Sequence, residues 1–71
     1  MSYIGVLAAA RIGAMKNIEK KLRRKGAVSR KTAVTPEEAE ITSKRELGWL
    51  NYLIEHGKVG RTKDGKVWWK G

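Results

Sequence analysis

Seventy-one residues without a cysteine make one small domain, which buries only about 60% of the surface its unfolded chain exposes and has no spare volume for an enclosed catalytic pocket. Sixteen Lys and Arg against seven Asp and Glu leave a net charge of +9, a surplus that steers the chain toward polyanions and makes nucleic acid the first partner to consider. The lack of thiols removes any disulfide framework or thiolate metal site; no cofactor is expected, and a cytoplasmic setting is compatible with such a chain.

The charge is unevenly placed. Residues 1–15 carry one positive charge, 16–31 carry eight positive and one negative, 32–57 two positive and five negative, and 58–71 five positive and one negative. Two basic zones therefore bracket an acidic middle, a clustering denser than solubility alone requires.

From Tyr3 to Leu22 the apolar residues Ile4, Leu7, Ala8, Ile12, Met15, Ile18 and Leu22 recur every three or four positions, which predicts one long helix with a buried face, ending at Gly26. Gly5 and Gly13 weaken it by about 1 kcal/mol each relative to alanine. The stretch IGVLAAARIGAM holds Arg11 and is too short to span a bilayer, which takes about 20 apolar residues; no stable membrane insertion is expected. Because this apolar start is longer than so small a core requires, Ile4, Leu7 and Met15 are candidates for a homodimer surface.

The run AVSRKTAV, residues 27–34, alternates loosely and predicts a short strand that pairs with a later hairpin. Thr35-Pro36-Glu37-Glu38 has the form of a helix start: a capping Thr, Pro at the first helical position and two carboxylates at the positive end of the dipole. A short second helix over 36–41 follows from it. Ser43 with Glu46 three residues on is a capping box, and Gly57 after His56 is a left-handed stop, so a third helix is expected over Lys44–His56. Leu47, Leu50, Leu53 and Ile54 line one face of it, with Trp49 at the border; Lys44, Arg45, Gly48, Asn51, Tyr52 and Glu55 lie away from that line.

Two β-prone runs, Lys58–Thr62 and Lys66–Lys70, flank Lys63-Asp64-Gly65, and Asp-Gly is a strong hairpin signal. With a three-residue loop and Gly65 in a bulge, Thr62 faces Lys66 and Val59 faces Trp69. Val59, Val67 and Trp69 then share one face, and Trp68 takes the other, open to stacking on a base or sugar, packing under the first helix, or a subunit contact.

Long helix, short strand, Thr-Pro-Glu-Glu-capped short helix, third helix and basic hairpin together resemble the winged helix-turn-helix domains of archaeal and bacterial transcription factors. KLRRKGAVSRKTAVTPEEA is similar to the start of small archaeal winged-helix proteins, and LNYLIEHGKVGRTKDGKVWW to a recognition helix with its wing. The resemblance spans about Asn17 to Lys70. It implies an α+β, mainly helical fold of three helices and a C-terminal hairpin wing: a long N-terminal helix over 1–25, helix-turn-helix over 36–57 and wing over 58–70. It further implies non-catalytic binding of double-stranded DNA by a small transcriptional regulator or chromatin-associated factor, with the third helix in a major groove. Carried over in this way, Lys44, Arg45, Gly48, Asn51 and Tyr52 are base-contact candidates, Arg45 for guanine and Asn51 for adenine. Arg61, Lys63 and Lys66 on the wing, with Lys20, Lys21, Arg23, Arg24 and Lys25 at the end of the first helix, are phosphate-contact candidates. The acidic Glu37, Glu38 and Glu40 depart from the pattern, since they sit where a second helix often nears the DNA backbone.

Winged helices also act as protein-interaction modules, and a basic helix end beside aromatic residues also suits RNA; both stand as alternatives. An enzyme is not expected, for want of a clustered nucleophile, base or metal-ligand set. GRTKDGKV, residues 60–67, nearly matches a phosphate loop, but Val67 replaces the Ser or Thr that reaches Mg²⁺ and no helix follows. His56, the one histidine, sits at a helix C-terminus, where a capping role fits it.

Overall fold

The computed structural model describes the backbone of residues 3–71 and the side chains from Gly13 onward. Ile4 and Leu7 of the expected dimer surface therefore lie outside the described side chains. Two helices, α1 (Tyr3–Arg24) and α2 (Lys44–Glu55), and an antiparallel hairpin of β1 (Val59–Arg61) and β2 (Val67–Trp69) make a small α+β fold.

The helical periodicity of α1 delivers Ile18 and Leu22 into the core, with Met15 half-buried against it. Met15, the one member of the expected dimer surface among the described side chains, is half-buried against the core. Gly26, at φ +72°, ends the helix: its N–H donates to Arg23 O at 3.0 Å and the next, that of Ala27, to Leu22 O at 2.9 Å. These paired bonds satisfy carbonyls that a helix end otherwise leaves open. Gly57, at φ +76°, closes α2 in the same way, with Lys58 N–H bonded to Leu53 O at 2.9 Å.

The expected second helix is a single turn. Thr35 and Glu38 cap each other as anticipated, Glu38 N–H to Thr35 Oγ1 at 3.1 Å and Thr35 N–H to Glu38 Oε1 at 3.2 Å. Glu40 then takes φ +63°, and Ile41 N–H reaches back to Pro36 O at 2.7 Å, repeating the stop used at the two glycines. The reversal turns Ala39 and Ile41, both buried, into the core; a further helical turn would carry Ile41 past it. Lys21 Nζ donates to the Glu40 carbonyl at 2.9 Å and holds the turn from α1.

Residues 27–34 do not form the expected strand. They meet β2 at their two ends only: Trp69 N–H donates to Ala27 O at 2.8 Å, and Val34 and Val67 exchange bonds of 3.0 and 2.7 Å. Between these points the chain lifts into a short 3-10 turn, Arg30–Thr32, whose Thr32 Oγ1 accepts from the N–H groups of Val28 and Ser29. The local hydroxyl bonds offer the backbone an alternative to a ladder. β2 is nonetheless central, with β1 on one edge and this segment on the other.

The hairpin has the expected register, Val59 opposite Trp69, Gly60 opposite Trp68 and Arg61 opposite Val67, with Thr62 N–H bonded to Lys66 O at 2.8 Å. Val59, Val67 and Trp69 are buried with Leu50 and Leu53 of α2 and the α1 residues. No helix among the described residues is long and apolar enough to cross a membrane.

Candidate nucleic-acid interface

The first turn of α2 is fixed by its cap. Ser43 Oγ accepts from Glu46 N–H at 3.1 Å and meets Glu46 Oε1 at 3.2 Å. The other carboxylate oxygen of Glu46 takes an ion pair from Lys21 and a bond from Asn17 Nδ2 at 3.3 Å. The Lys21 hydrogen bond above all, against some opposing desolvation, holds the Glu46 carboxyl below its ordinary range, with the Lys21 charge and Ser43 adding to it. Glu46 therefore ties α2 to α1 and offsets the unfavourable placing of Lys44 and Arg45 at the positive end of the helix dipole.

Helical spacing divides the five base-contact candidates. Lys44, Gly48 and Asn51 form one exposed stripe that ends at Glu55. Arg45 belongs to a second stripe with Trp49, Tyr52 and His56, along which the rings are in contact: Trp49 and Tyr52 meet edge-on at 5.6 Å, and Tyr52 stacks on His56 at 4.0 Å. His56 Nδ1 also lies 2.9 Å from Tyr52 O, at the helix end. Arg45 borders a depression of about 390 Å³ between the helices, lined by Gly13, Ala14, Asn17, Glu46 and Trp49. Tyr52 is half-buried against the core, so the structure brings Lys44, Gly48 and Asn51 together and sets Arg45 and Tyr52 round the side.

The basic end of α1 divides too. Lys21 is drawn inward by Glu46 and the Glu40 carbonyl. Arg23 Nε pairs with Glu19 at 2.8 Å one turn back, while Lys20, Arg24 and Lys25 stay exposed. Lys16 joins this exposed group; it and Lys20 line a shallow groove with Glu19, Arg23 and Arg24.

At the hairpin, Arg61, Lys63 and Lys66 are all exposed. Thr62 organises the tip: its O accepts from Gly65 N–H at 3.1 Å and its Oγ1 from Lys66 N–H at 3.1 Å, with Gly65 at φ +85°. Strand alternation puts Arg61 on the side of Val59 and Val67, and Lys66 on the side of Trp68. The Glu38 carboxyl links the two basic zones. Thr35, through backbone and then side chain, holds it below its usual range, and the charges of Lys66 and Lys25 lower it further.

Sequence patterns did not single out Arg30. Its guanidinium carbon lies 5.7 Å over the Trp68 ring, a pairing of residues 38 positions apart that only the docking of segment 27–34 on β2 creates. Lys70, likewise unassigned, is exposed just past the end of β2, with its N–H bonded to Lys58 O at 2.9 Å. Among the described residues ion pairs engage Lys21 and Arg23 alone of the basic side chains, which leaves most of the surplus charge on the surface. Compared with protein-family models, curated proteins and solved structures, the chain matches none.

Proposed function

We propose that this protein binds double-stranded DNA without catalysis, as a small winged-helix transcriptional regulator or chromatin-associated factor. The observation that carries the reading is the exposure of cations on both α2 and the adjoining hairpin that no ion pair engages among the described residues, while Glu38 and Glu46 are occupied at caps and in the α1–α2 seam. The order of elements supports it: a segment after α1 bridges the outer edge of β2 at Val34, a capped turn precedes α2, and α2 runs directly into the hairpin. In this arrangement Lys44 and Asn51 face the groove, Gly48 lets the DNA approach closely, and the hairpin contacts phosphate. Glu55 sits at the far end of the stripe, away from the groove.

The test is a titration of a mixed-sequence duplex over a range of salt concentrations. Affinity should fall linearly on a log–log plot, by about 0.9 in slope per phosphate neutralised, and Lys44→Gln with Asn51→Ala should weaken binding severalfold. Binding that is absent, or indifferent to salt, rejects the reading. Homodimerisation through the start of α1 completes the proposal; a monomer in sedimentation at tens of micromolar, unchanged by Leu7→Asp, removes that part.

A further inference from the structure

We infer that the outer face of the hairpin, with Trp68 at its centre and Arg30, Lys66 and Lys70 around it, is a phosphate-binding surface that grips the DNA backbone independently of the hairpin tip. This rests on the DNA-binding reading and adds to it the part of the molecule that holds the backbone.

Three features converge there. The indole of Trp68 lies across Gly60, so closely that a Cβ at that position would stand 2.2 Å from Trp68 Cζ2. The Arg30 guanidinium sits over the same ring and is exposed, with no carboxylate engaging it among the described residues. A guanidinium drawn to an aromatic ring by cation–π attraction still has N–H groups for a phosphate, with which its planar fork forms bidentate contacts.

Lys66 and Lys70 stand two residues either side of Trp68, and the ladder bonds Thr62 N–H to Lys66 O and Lys70 N–H to Lys58 O, 2.8 and 2.9 Å, carry the strand geometry out to both. Alternation therefore sets them on the Trp68 face. No ion pair engages Lys66 or Lys70 among the described residues, and the nearby Glu38 carboxylate is bonded to Thr35. Covering a glycine with an aromatic side chain is a structural device in its own right. That device needs no cations round the ring; three of them on one small face point to a polyanion.

The experiment measures duplex affinity against salt for the full chain and for Arg30→Gln, Lys70→Gln, Trp68→Leu and Trp68→Tyr. Arg30→Gln and Lys70→Gln should each weaken binding severalfold and flatten the log–log slope by about 0.9. Trp68→Leu should weaken it through loss of the Arg30 platform, and Trp68→Tyr should restore it. Unchanged affinity and slope in both charge variants, against a steep wild-type slope, overturn the outer-face surface and leave DNA binding by α2 intact. A wild-type chain without salt-dependent binding removes both. Should Trp68→Leu fail to fold, the two charge variants, on exposed residues outside the core, still decide.

Discussion

Trp68 and Trp69 are neighbours on one strand, yet they occupy different physical settings. Trp69 is 8% exposed and packs with Val59 and Val67 against both helices, whereas Trp68 is half-buried on the opposite face, laid over Gly60 and under a guanidinium. A strand's period of two separates the functions of adjacent residues at no cost in chain length. The inner face of this hairpin supplies stability that a 71-residue chain needs from every apolar side chain, and its outer face is left for charge. The two faces should therefore respond to mutation in opposite ways.

The largest effect is expected on the inner face. Trp69→Ala removes a buried aromatic from the centre of the core and should cost about 3–5 kcal/mol, a large part of what a domain of this size has in reserve. Thermal or urea unfolding followed by circular dichroism should show a chain largely unfolded at room temperature; a cooperative transition near that of the wild type would mean the two tryptophans have been assigned the wrong way round.

Gly60→Val strikes the outer face where the Trp68 indole covers the backbone. The new side chain must push the Trp68 indole away, since even a Cβ falls within 2.4 Å of three ring atoms, and the displacement should cost about 1–3 kcal/mol. Double substitution with Trp68→Ala should recover much of that loss, because the obstacle is then gone. If the two changes are simply additive, the indole does not rest on Gly60.

Acid distinguishes the hairpin from the helix seam. The inner-face strand residues Val59, Arg61, Val67 and Trp69 include no carboxyl, while the seam depends on Glu46, whose carboxyl is lowered in the folded state by Lys21 and Ser43. A carboxyl lowered on folding stabilises the native chain above its unfolded pKa, and that contribution fades as pH falls through the carboxylate range, from about pH 5 downward. Glu38, lowered chiefly by Thr35, adds in the same direction. Melting temperatures measured from pH 7 down to pH 3 should fall, and Glu46→Gln should start lower and fall less. A Glu46→Gln curve parallel to the wild type would show that Lys21 and Ser43 contribute nothing through this group.

These contrasts also explain how far local chemistry carries. Ser43 with Glu46, Thr35 with Glu38, Gly26, Gly57 and the Asp64-Gly65 tip all behave as their immediate neighbours dictate, because a cap or a tight turn involves residues within a few positions of each other. The hairpin register follows for the same reason. The length of the second helical segment is a different matter: Ile41 must be buried, and Glu40 adopts a left-handed conformation that its own side chain does not favour. Segment 27–34 fails as a strand because only Ala27 and Val34 reach β2, and the Thr32 hydroxyl satisfies the backbone N–H groups of Val28 and Ser29 in between. The same holds for the candidate interface. The exposed cations of the hairpin are legible as a charge cluster, but Lys21 is diverted by a carboxylate 25 residues away, and Arg30 gains its position from a ring on β2. Partners so distant in the chain leave no periodic trace.

Arg30→Ala should have the smallest effect on stability and so draws the contrast between the faces most sharply. An exposed cation–π contact contributes about 0.5–1 kcal/mol, and the residue lies in a turn held by Thr32 rather than by its own side chain. The unfolding midpoint should therefore shift only slightly, while duplex affinity falls severalfold through loss of a phosphate contact. Arg30→Lys should keep the charge but lose the planar fork, giving intermediate affinity with the wild-type salt slope. Stability and affinity falling together in Arg30→Ala would return the outer face to a structural role; their separation would assign the two sides of a three-residue strand to two different tasks.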